Sequence, residues 1–370
     1  MPIGRLADVW SRKWIIITGI ALWSAATAAC GLARSFSHLL LARIGVGAGE
    51  AALAPAGYSI ITDITPRENL GAAISVFQMG SLIGAGLAFL LGGGVYAVFT
   101  ELQPDLTGVF SHFSAWQLTF FALATPGPFF VLLLMLIREP QRKKLANAST
   151  SPENGSTLIF HLKENAALYG ALFTGCACLV AISYAFASWA PAILTREFGW
   201  AVGTVGMRIG LVMLSTAPAG VLLGGLLADY WTRRGKADAF GRVLVLAAII
   251  VMPVMLALFM TKSGAFFYIL FGIAQFSTGM AIGVGPATTQ KLADAHLRGQ
   301  VSAIYVFGVN LVGLGAGPVA VGVLSDQVFS GDNALLSSLA TYCLLMCGIS
   351  FVLLSAFRKM LFRRSAAIAS

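Results

Sequence analysis

The sequence predicts an all-α polytopic membrane protein, and three observations carry that reading. Hydrophobic residues fill 58% of the 370 positions and charged residues only 11%, against about 25% charge in a typical soluble domain; the mean hydropathy is +0.84. Apolar runs long enough to cross a hydrocarbon core of roughly 30 Å, which takes about 20 helical residues, recur ten times. The runs are continuous and do not alternate, so they describe helices with internally satisfied backbones and not barrel strands.

In chain order the spans fall near 14–32, 39–61, 71–99, 116–137, 166–194, 207–227, 243–260, 266–287, 301–324 and 335–357. The first follows the charged decapeptide GRLADVWSRK (Gly4–Lys13) and stops before Arg34. The second carries Arg43 and Glu50 within it, and the third, rich in glycine, ends before Glu101. The fourth, rich in Phe and Leu, is closed by Arg138, and the fifth by Arg196 and Glu197. The sixth runs into a second charged decapeptide, GLLADYWTRR (Gly225–Arg234). Arg242 and Lys262 bracket the seventh, Lys262 and Lys291 the eighth, Arg298 and Asp326 the ninth, and Asp332 and Arg358 the tenth.

The net charge of +9 reports orientation and not nucleic acid, because Lys and Arg beside membrane helices mark the cytoplasmic side. If the segment before the first span is cytoplasmic, 19 of the 24 basic residues lie on that side, with Arg34, Arg196, Arg208 and Lys262 opposite and Arg43 inside a span. Ten spans then place both termini in the cytoplasm, as expected of an integral protein of the plasma (inner) membrane. The five cysteines all fall in apolar spans, where cysteine behaves as a small hydrophobe, and they show no disulfide or metal spacing. The four histidines are scattered over loops and span ends. No catalytic constellation, metal set, cofactor motif or Gly-x-x-x-x-Gly-Lys-Ser/Thr phosphate loop is present, so the chain reads as neither an enzyme nor an ATP-driven pump.

The two decapeptides are an internal repeat. They match at Gly, Leu, Ala, Asp, Trp and a basic pair, 221 residues apart. A second set follows at a displacement of 231 residues: Pro55, Asp63, Arg67 and Gly84-Ala85-Gly86 recur as Pro286, Asp294, Arg298 and Gly315-Ala316-Gly317. The chain therefore divides into a first half at 1–137, a polar linker at 138–163 and a second half at 164–370. Two spans precede Asp229 in the second half and none precedes Asp8 in the first. The expectation is an ancestral six-plus-six plan in which two helices upstream of Gly4 are missing. The chain taken by itself is then expected to be poorly stable and inactive in transport.

A Gly-x-Leu-Ala-Asp-x-x-x-Arg-Arg loop repeated in two six-helix halves resembles the major facilitator superfamily. The resemblance covers the whole chain, as family helices 3 to 12 in a bundle of two pseudo-symmetric halves. LARIGVGAGEAALAPAGYSIITDITPRE (Leu41–Glu68) and FASWAPAIL (Phe186–Leu194) resemble its spinster-like branch. One departure is Val9 and Tyr230, where many members carry Arg after the Asp. The resemblance implies secondary active transport by alternating access, with substrate held near the membrane midplane.

The resemblance also implies a gate latch at Gly4, Asp8, Arg12, Lys13, Gly225, Asp229, Arg233 and Arg234, where a carboxylate at a helix end accepts from a neighbouring helix N-terminus; plain topological anchoring by the basic residues is the alternative. Asp63, Arg67, Asp294 and Arg298 form further charges at cytoplasmic helix ends. A charge at mid-bilayer costs about 2.5–3.5 kcal/mol on insertion scales, so Arg43 and Glu50 require a function or a partner. Seven residues apart, they share one helix face about 10.5 Å apart along the axis, too far for a direct ion pair. In the resembled branch a Glu stands at the position of Glu50, which implies proton coupling or substrate handling, and desolvation at bilayer depth favours the neutral form of a carboxylate. An internally paired structural charge is the other reading.

Gln78, Gln275 and Asn310 are candidate cavity residues or interhelical glue. Trp189 and Pro191 are a candidate outer gate, Trp189 alternatively an interfacial anchor. Gly45 to Gly49, Gly80 with Gly84, Gly220 with Gly224, and Gly313 with Gly317 are read as close helix contacts. The substrate is expected to be a small organic or amphipathic solute, lysolipid-like or sphingoid-like by the resemblance, with a small organic anion suited to the Arg as the alternative. A transport-dead or receptor-like homologue shares the same topology. The expected partners are the bilayer, the solute and protons, the expected state a monomer, and no cofactor is expected.

Overall fold

The computed structural model describes residues 11–51, 53–64, 70–105, 107–137, 158–293, 297–331 and 333–369. The described residues are almost entirely helical: α1 (Arg12–Gly31), α2 (Phe36–Glu50), α3 (Leu53–Ile64), α4 (Leu70–Leu102), α5 (Ala115–Ala124), α6 (Pro126–Leu136), α7 (Leu158–Glu164), α8 (Ala166–Arg196), α9 (Val202–Arg233), α10 (Ala239–Leu258), α11 (Gly264–Leu292), α12 (Arg298–Asn310), α13 (Gly317–Gln327) and α14 (Ala334–Ala369). They form two compact units, Met1–Gly84 with Leu91–Ser151, and Ala85–Leu90 with Pro152–Ser370.

Among the described residues nine helical stretches are long and apolar enough to cross a membrane, against ten expected. The difference lies in the expected span 39–61, which is two helices, α2 and α3, each too short alone. The chemistry of Pro55 accounts for the division. Proline has no N–H for the carbonyl four residues back, here that of Ala51, and its ring crowds that carbonyl. At the third position of α3 the missing donor costs nothing, because the first N–H groups of a helix have no intrahelical partner. Pro126 likewise opens α6 after Thr125, dividing the expected span 116–137. The expected span 301–324 is α12, a π turn at Leu311–Ala316 and α13.

In the first unit α1 is the central helix, packed by α2, α3, α5 and α6. Its N-cap Ser11 accepts from the Trp14 amide. Gln117 ties the start of α5 to this centre: its Oε1 accepts from the Ser114 amide at 2.9 Å, and its Nε2 donates to the Ala33 carbonyl at 3.1 Å.

The second unit holds the large apolar core, in which α9 packs on α11, and α8 and α10 on α14. Polar residues stitch these helices: Ser350 Oγ donates to the Gly175 carbonyl at 2.9 Å and Ser277 Oγ to the Ala247 carbonyl at 2.5 Å. Such bonds hold helices in lipid, where apolar burial between helices gives no driving force. All five cysteines are buried and unpaired. Glycine sets the closest approach. Gly220 and Gly224 of α9 face the backbone of Phe276 and Met280, while Gly279 and Gly283 of α11 face Ala217 and Val221. A Cβ at Gly220 would collide with the Phe276 carbonyl. Gly313 and Gly317 meet α8, as the sequence suggested, whereas Gly80 and Gly84 have nothing within 4 Å of an added Cβ among the described residues.

Gly220→Val is expected to lower the unfolding free energy by about 1–3 kcal/mol, the usual range for overpacking, whereas Gly170→Ala, inside α8 with open space at its Cβ, is expected to raise it by up to about 1 kcal/mol. Thermal melting of the full chain in detergent compares them; equal melting temperatures would contradict the close α9–α11 contact.

Candidate functional site

Helix α2 presents three sectors when its residues are laid out at 100° per residue. Leu39, Ala42, Val46 and Gly49 form the packed sector against Trp23, Ala26 and Cys30 of α1. Gly49 makes that contact possible: an added Cβ would lie 2.7 Å from the Gly19 carbonyl and the Trp23 amide. Leu40, Leu41 and Ile44 are exposed and apolar. Between these sectors Arg43, Gly47 and Glu50 occupy a strip about 60° wide, all three exposed and with open space at Gly47. Arg43 and Glu50 thus share one face, and neither has an ion-pair or hydrogen-bond partner among the described residues. Glu50 closes α2 immediately before the division at Ala51.

The second unit carries its own polar set. Gln275 of α11 is 1% exposed; its Oε1 accepts from Ser183 Oγ at 2.5 Å, and its Nε2 has no protein partner. One residue along α8, the Tyr184 hydroxyl donates to Asn310 Oδ1 at 3.3 Å. Asn310 ends α12 at the start of the π turn, and turns of this kind gather at functional sites. Gln275 and Asn310 are therefore both tied to α8. Gln78 lies in α4 with its side chain outside the described residues.

The repeated charged motif divides. Gly4 and Asp8 lie outside the described residues. Arg12 is 1% exposed in the first turn of α1. Lys13 Nζ donates to the Met135 carbonyl at 2.8 Å, satisfying one of the unpaired carbonyls that end α6. In the second copy Gly225, Asp229, Arg233 and Arg234 close α9, with Asp229 and both arginines exposed. Arg234 lies 4.4 Å over the Tyr230 ring, so the residue replacing the family's Arg holds the guanidinium by a cation–π contact. Arg67 and Asp294 lie outside the described residues, and Asp63 and Arg298 sit in α3 and α12 with undescribed side chains. Trp189 Nε1 donates to the Pro318 carbonyl at 2.9 Å, joining α8 to the first turn of α13, while Pro191 sits inside α8 two residues on.

Sequence reasoning passed over three features. Ser183 and Tyr184 are adjacent polar residues inside an apolar span, a visible signal. Asp238, 2% exposed, accepts from Arg242 Nε at 2.8 Å and Arg358 Nε at 2.9 Å. Only the i,i+4 partner is legible from spacing. Burial opposes charge on Asp238, but the two guanidiniums hold its carboxyl below the usual carboxylate range. At the opposite end of the unit Glu197, just past α8, accepts from the Leu336 amide in the first turn of α14 at 3.1 Å. Its Oε2 is buried without a partner, and burial raises its pKa against the lowering effect of the Leu336 and Leu335 amides.

The described residues make a helical membrane protein with polar and charged side chains inside its spans. The chain belongs to the Major Facilitator Superfamily, whose family model matches residues 1–318. It is 24% identical to an MFS-type efflux pump of Mycolicibacterium smegmatis over 89% of this chain and 72% of that protein. It is also 24% identical to a hexuronate transporter of Bacillus subtilis, over 92% of this chain and 79% of that protein. Among solved structures it resembles a bacterial homologue of the human lysosomal transporter spinster, in an inward-facing, unoccupied conformation. The TM-score is 0.79 at 26% identity, covering 98% of this chain and 85% of that one. The spinster-like reading of Leu41–Glu68 and Phe186–Leu194 agrees with that likeness.

A carboxyl whose folded pKa is raised contributes stability that is fully present below its unfolded pKa and lost as pH rises through the folded value. Glu197→Gln keeps an acceptor for the Leu336 amide and cannot ionise. Melting curves in detergent are expected to show the variant level with the parent near pH 4 and more stable near pH 8. A variant less stable at pH 8 would contradict the raised pKa.

Proposed function

We propose that this secondary transporter moves a small organic or amphipathic solute by alternating access, with proton coupling at Glu50. The observation that carries the reading is the narrow polar strip of α2. An arginine and a carboxylate without ion-pair or hydrogen-bond partners among the described residues stand on one face of a largely apolar helix, and charge inside a membrane span persists only where it serves a pathway or a partner. Glu50 is then the proton-exchanging group and Arg43 the anchor for an anionic or zwitterionic part of the substrate. Within the second unit Gln275, Ser183, Tyr184 and Asn310 are a separate set of hydrogen-bonding groups inside the spans. The unpaired Gln275 Nε2 is a donor available to a ligand, since a buried amide without a partner is costly.

The likeness to a spinster homologue favours a lysolipid-like or sphingoid-like amphiphile. Arg43, together with the likeness to a hexuronate transporter, favours a small organic anion as the second reading. The charged loop ending α9, with Asp229, Arg233 and Arg234, acts as the cytoplasmic latch, alongside Gly4, Asp8, Arg12 and Lys13. Trp189 and Pro191 form the outer closure. In this reading both termini are cytoplasmic, the membrane is the plasma (inner) membrane and the working unit is a monomer.

Reconstituted proteoliposomes test the coupling with lysophosphatidylcholine, sphingosine and glucuronate as probes. Any flux would overturn the inactivity expected from the repeat count, and flux of one probe is expected to rise when a pH gradient is imposed. Glu50→Gln is expected to bring that flux down to the level seen without a gradient while leaving substrate exchange intact. Parent flux indifferent to the gradient would contradict proton coupling, and loss of exchange together with gradient-driven flux would assign Glu50 to substrate binding instead.

A further inference from the structure

A second polar feature of the second unit lies away from the residues assigned to transport. Along α10, Asp238, Arg242, Val245 and Ile249 form one stripe at spacings of four, three and four residues; along α14, Phe351, Ser355, Arg358 and Lys359, and then Phe362 and Arg363, form another. The helices run in opposite directions, so the charged ends of the stripes meet and the apolar ends meet. Between them lies a groove of about 690 Å³ lined by both stripes. One end is a basic crown and the other an apolar floor of Val245, Ile249 and Phe351.

The crown is built. Asp238, 3% exposed at its side chain, fixes Arg242 and Arg358 through their Nε atoms, leaving those side chains 30% and 41% exposed. A Cβ at Gly241 would lie 3.1 Å from Arg358 Cβ, so glycine there lets α10 approach α14 closely enough for the clamp to form. Lys359 and Arg363 are exposed and have no ion-pair or hydrogen-bond partner among the described residues. Four cations against one carboxylate give the groove a local charge of +3. Positive-side topology accounts for basic residues at this end of the helices, but not for their convergence over an apolar strip running four residues, about 6 Å, along α10.

We infer that this groove is a binding site for one anionic phospholipid of the adjoining leaflet, with its phosphate headgroup in the Arg242, Arg358, Lys359 and Arg363 crown and an acyl chain along Val245, Ile249 and Phe351. Basic pockets between transmembrane helices recognise anionic headgroups in this way. The clamp fixes two guanidiniums, so little side-chain freedom is lost on binding. A soluble anion would use the crown and leave the apolar half of the groove without a role. The site is independent of the transported solute and stands whether or not Glu50 couples protons.

The test is native mass spectrometry and thermal melting of the full chain in detergent, titrated with phosphatidylglycerol, phosphatidylcholine, inorganic phosphate or glycerophosphoglycerol. Saturable retention of one phosphatidylglycerol with a rise in melting temperature is expected, with no comparable effect of the other three. Lys359→Gln combined with Arg363→Gln, which spares the Asp238 clamp, is expected to weaken phosphatidylglycerol binding roughly thirtyfold, the scale of two basic residues at an anionic surface. Lys163→Gln combined with Lys236→Gln, exposed cations outside the groove, is expected to leave binding unchanged. Equal binding of phosphatidylcholine, full reproduction of the effect by inorganic phosphate or glycerophosphoglycerol, or equal loss in both double variants would overturn the inference. Melting of the unliganded variants at the parent temperature establishes that they fold.

Discussion

In hydrocarbon a backbone amide or carbonyl without a partner costs several kcal/mol, and that cost determines where this chain can depart from a continuous helix. Its breaks are placed where donors are missing in any case. Pro55 and Pro126 stand in the first turns of α3 and α6, where N–H groups have no intrahelical partner, so the helices restart without losing a bond. Pro318 opens α13, and its carbonyl is taken by Trp189. Short helices, with Arg43 midway along one of them and Glu50 at its end, and a π turn beside Asn310 are thereby accommodated in a membrane bundle.

The two copies of the repeat differ in where their helices are interrupted. Pro55 and Pro286 are equivalent positions, yet the chain restarts near Pro55 whereas α11 runs through Pro286 unbroken. Conversely α4 runs through Gly84-Ala85-Gly86, while the equivalent Gly315-Ala316-Gly317 lies at the π turn and the start of α13. Each half therefore has one interrupted helix of the pair where the other half has a straight one. Interrupted helices bend at defined points, and a carrier needs such points to open and close about a fixed site.

Much of this was legible in the sequence because composition and repeat spacing act over long windows. The ten apolar runs, the twin charged decapeptides and the displacement of 231 residues identify the bundle, and Gly220 with Gly224 marks a tight contact. The division of the 39–61 run was also written in Pro55, but a hydropathy window passes over a single proline. Long-range pairings were not legible: nothing local joins Arg358 to Asp238, Glu197 to Leu336, or Tyr184 to Asn310. Arg12 appears in the sequence as one charge of the repeated motif, and its burial is visible only in the structure. Arg43 and Glu50 were found because charge inside an apolar run is improbable without a reason. Their placement on a strip separate from both the packed and the apolar sectors required the three-dimensional arrangement of α2.

The central claim is that this strip faces water and not lipid, and thiol accessibility tests it without knowledge of the substrate. In a background with the five native cysteines replaced, Gly47→Cys, Ile44→Cys and Val46→Cys sample the polar, apolar and packed sectors of α2. The protein in its membrane is treated with a charged, membrane-impermeant methanethiosulfonate. Rapid modification at position 47 with negligible modification at 44 and 46 is the predicted result. Position 47 as unreactive as position 44 would mean that the strip bearing Arg43 and Glu50 is not part of an aqueous pathway, and the transport role assigned to those two residues would fall.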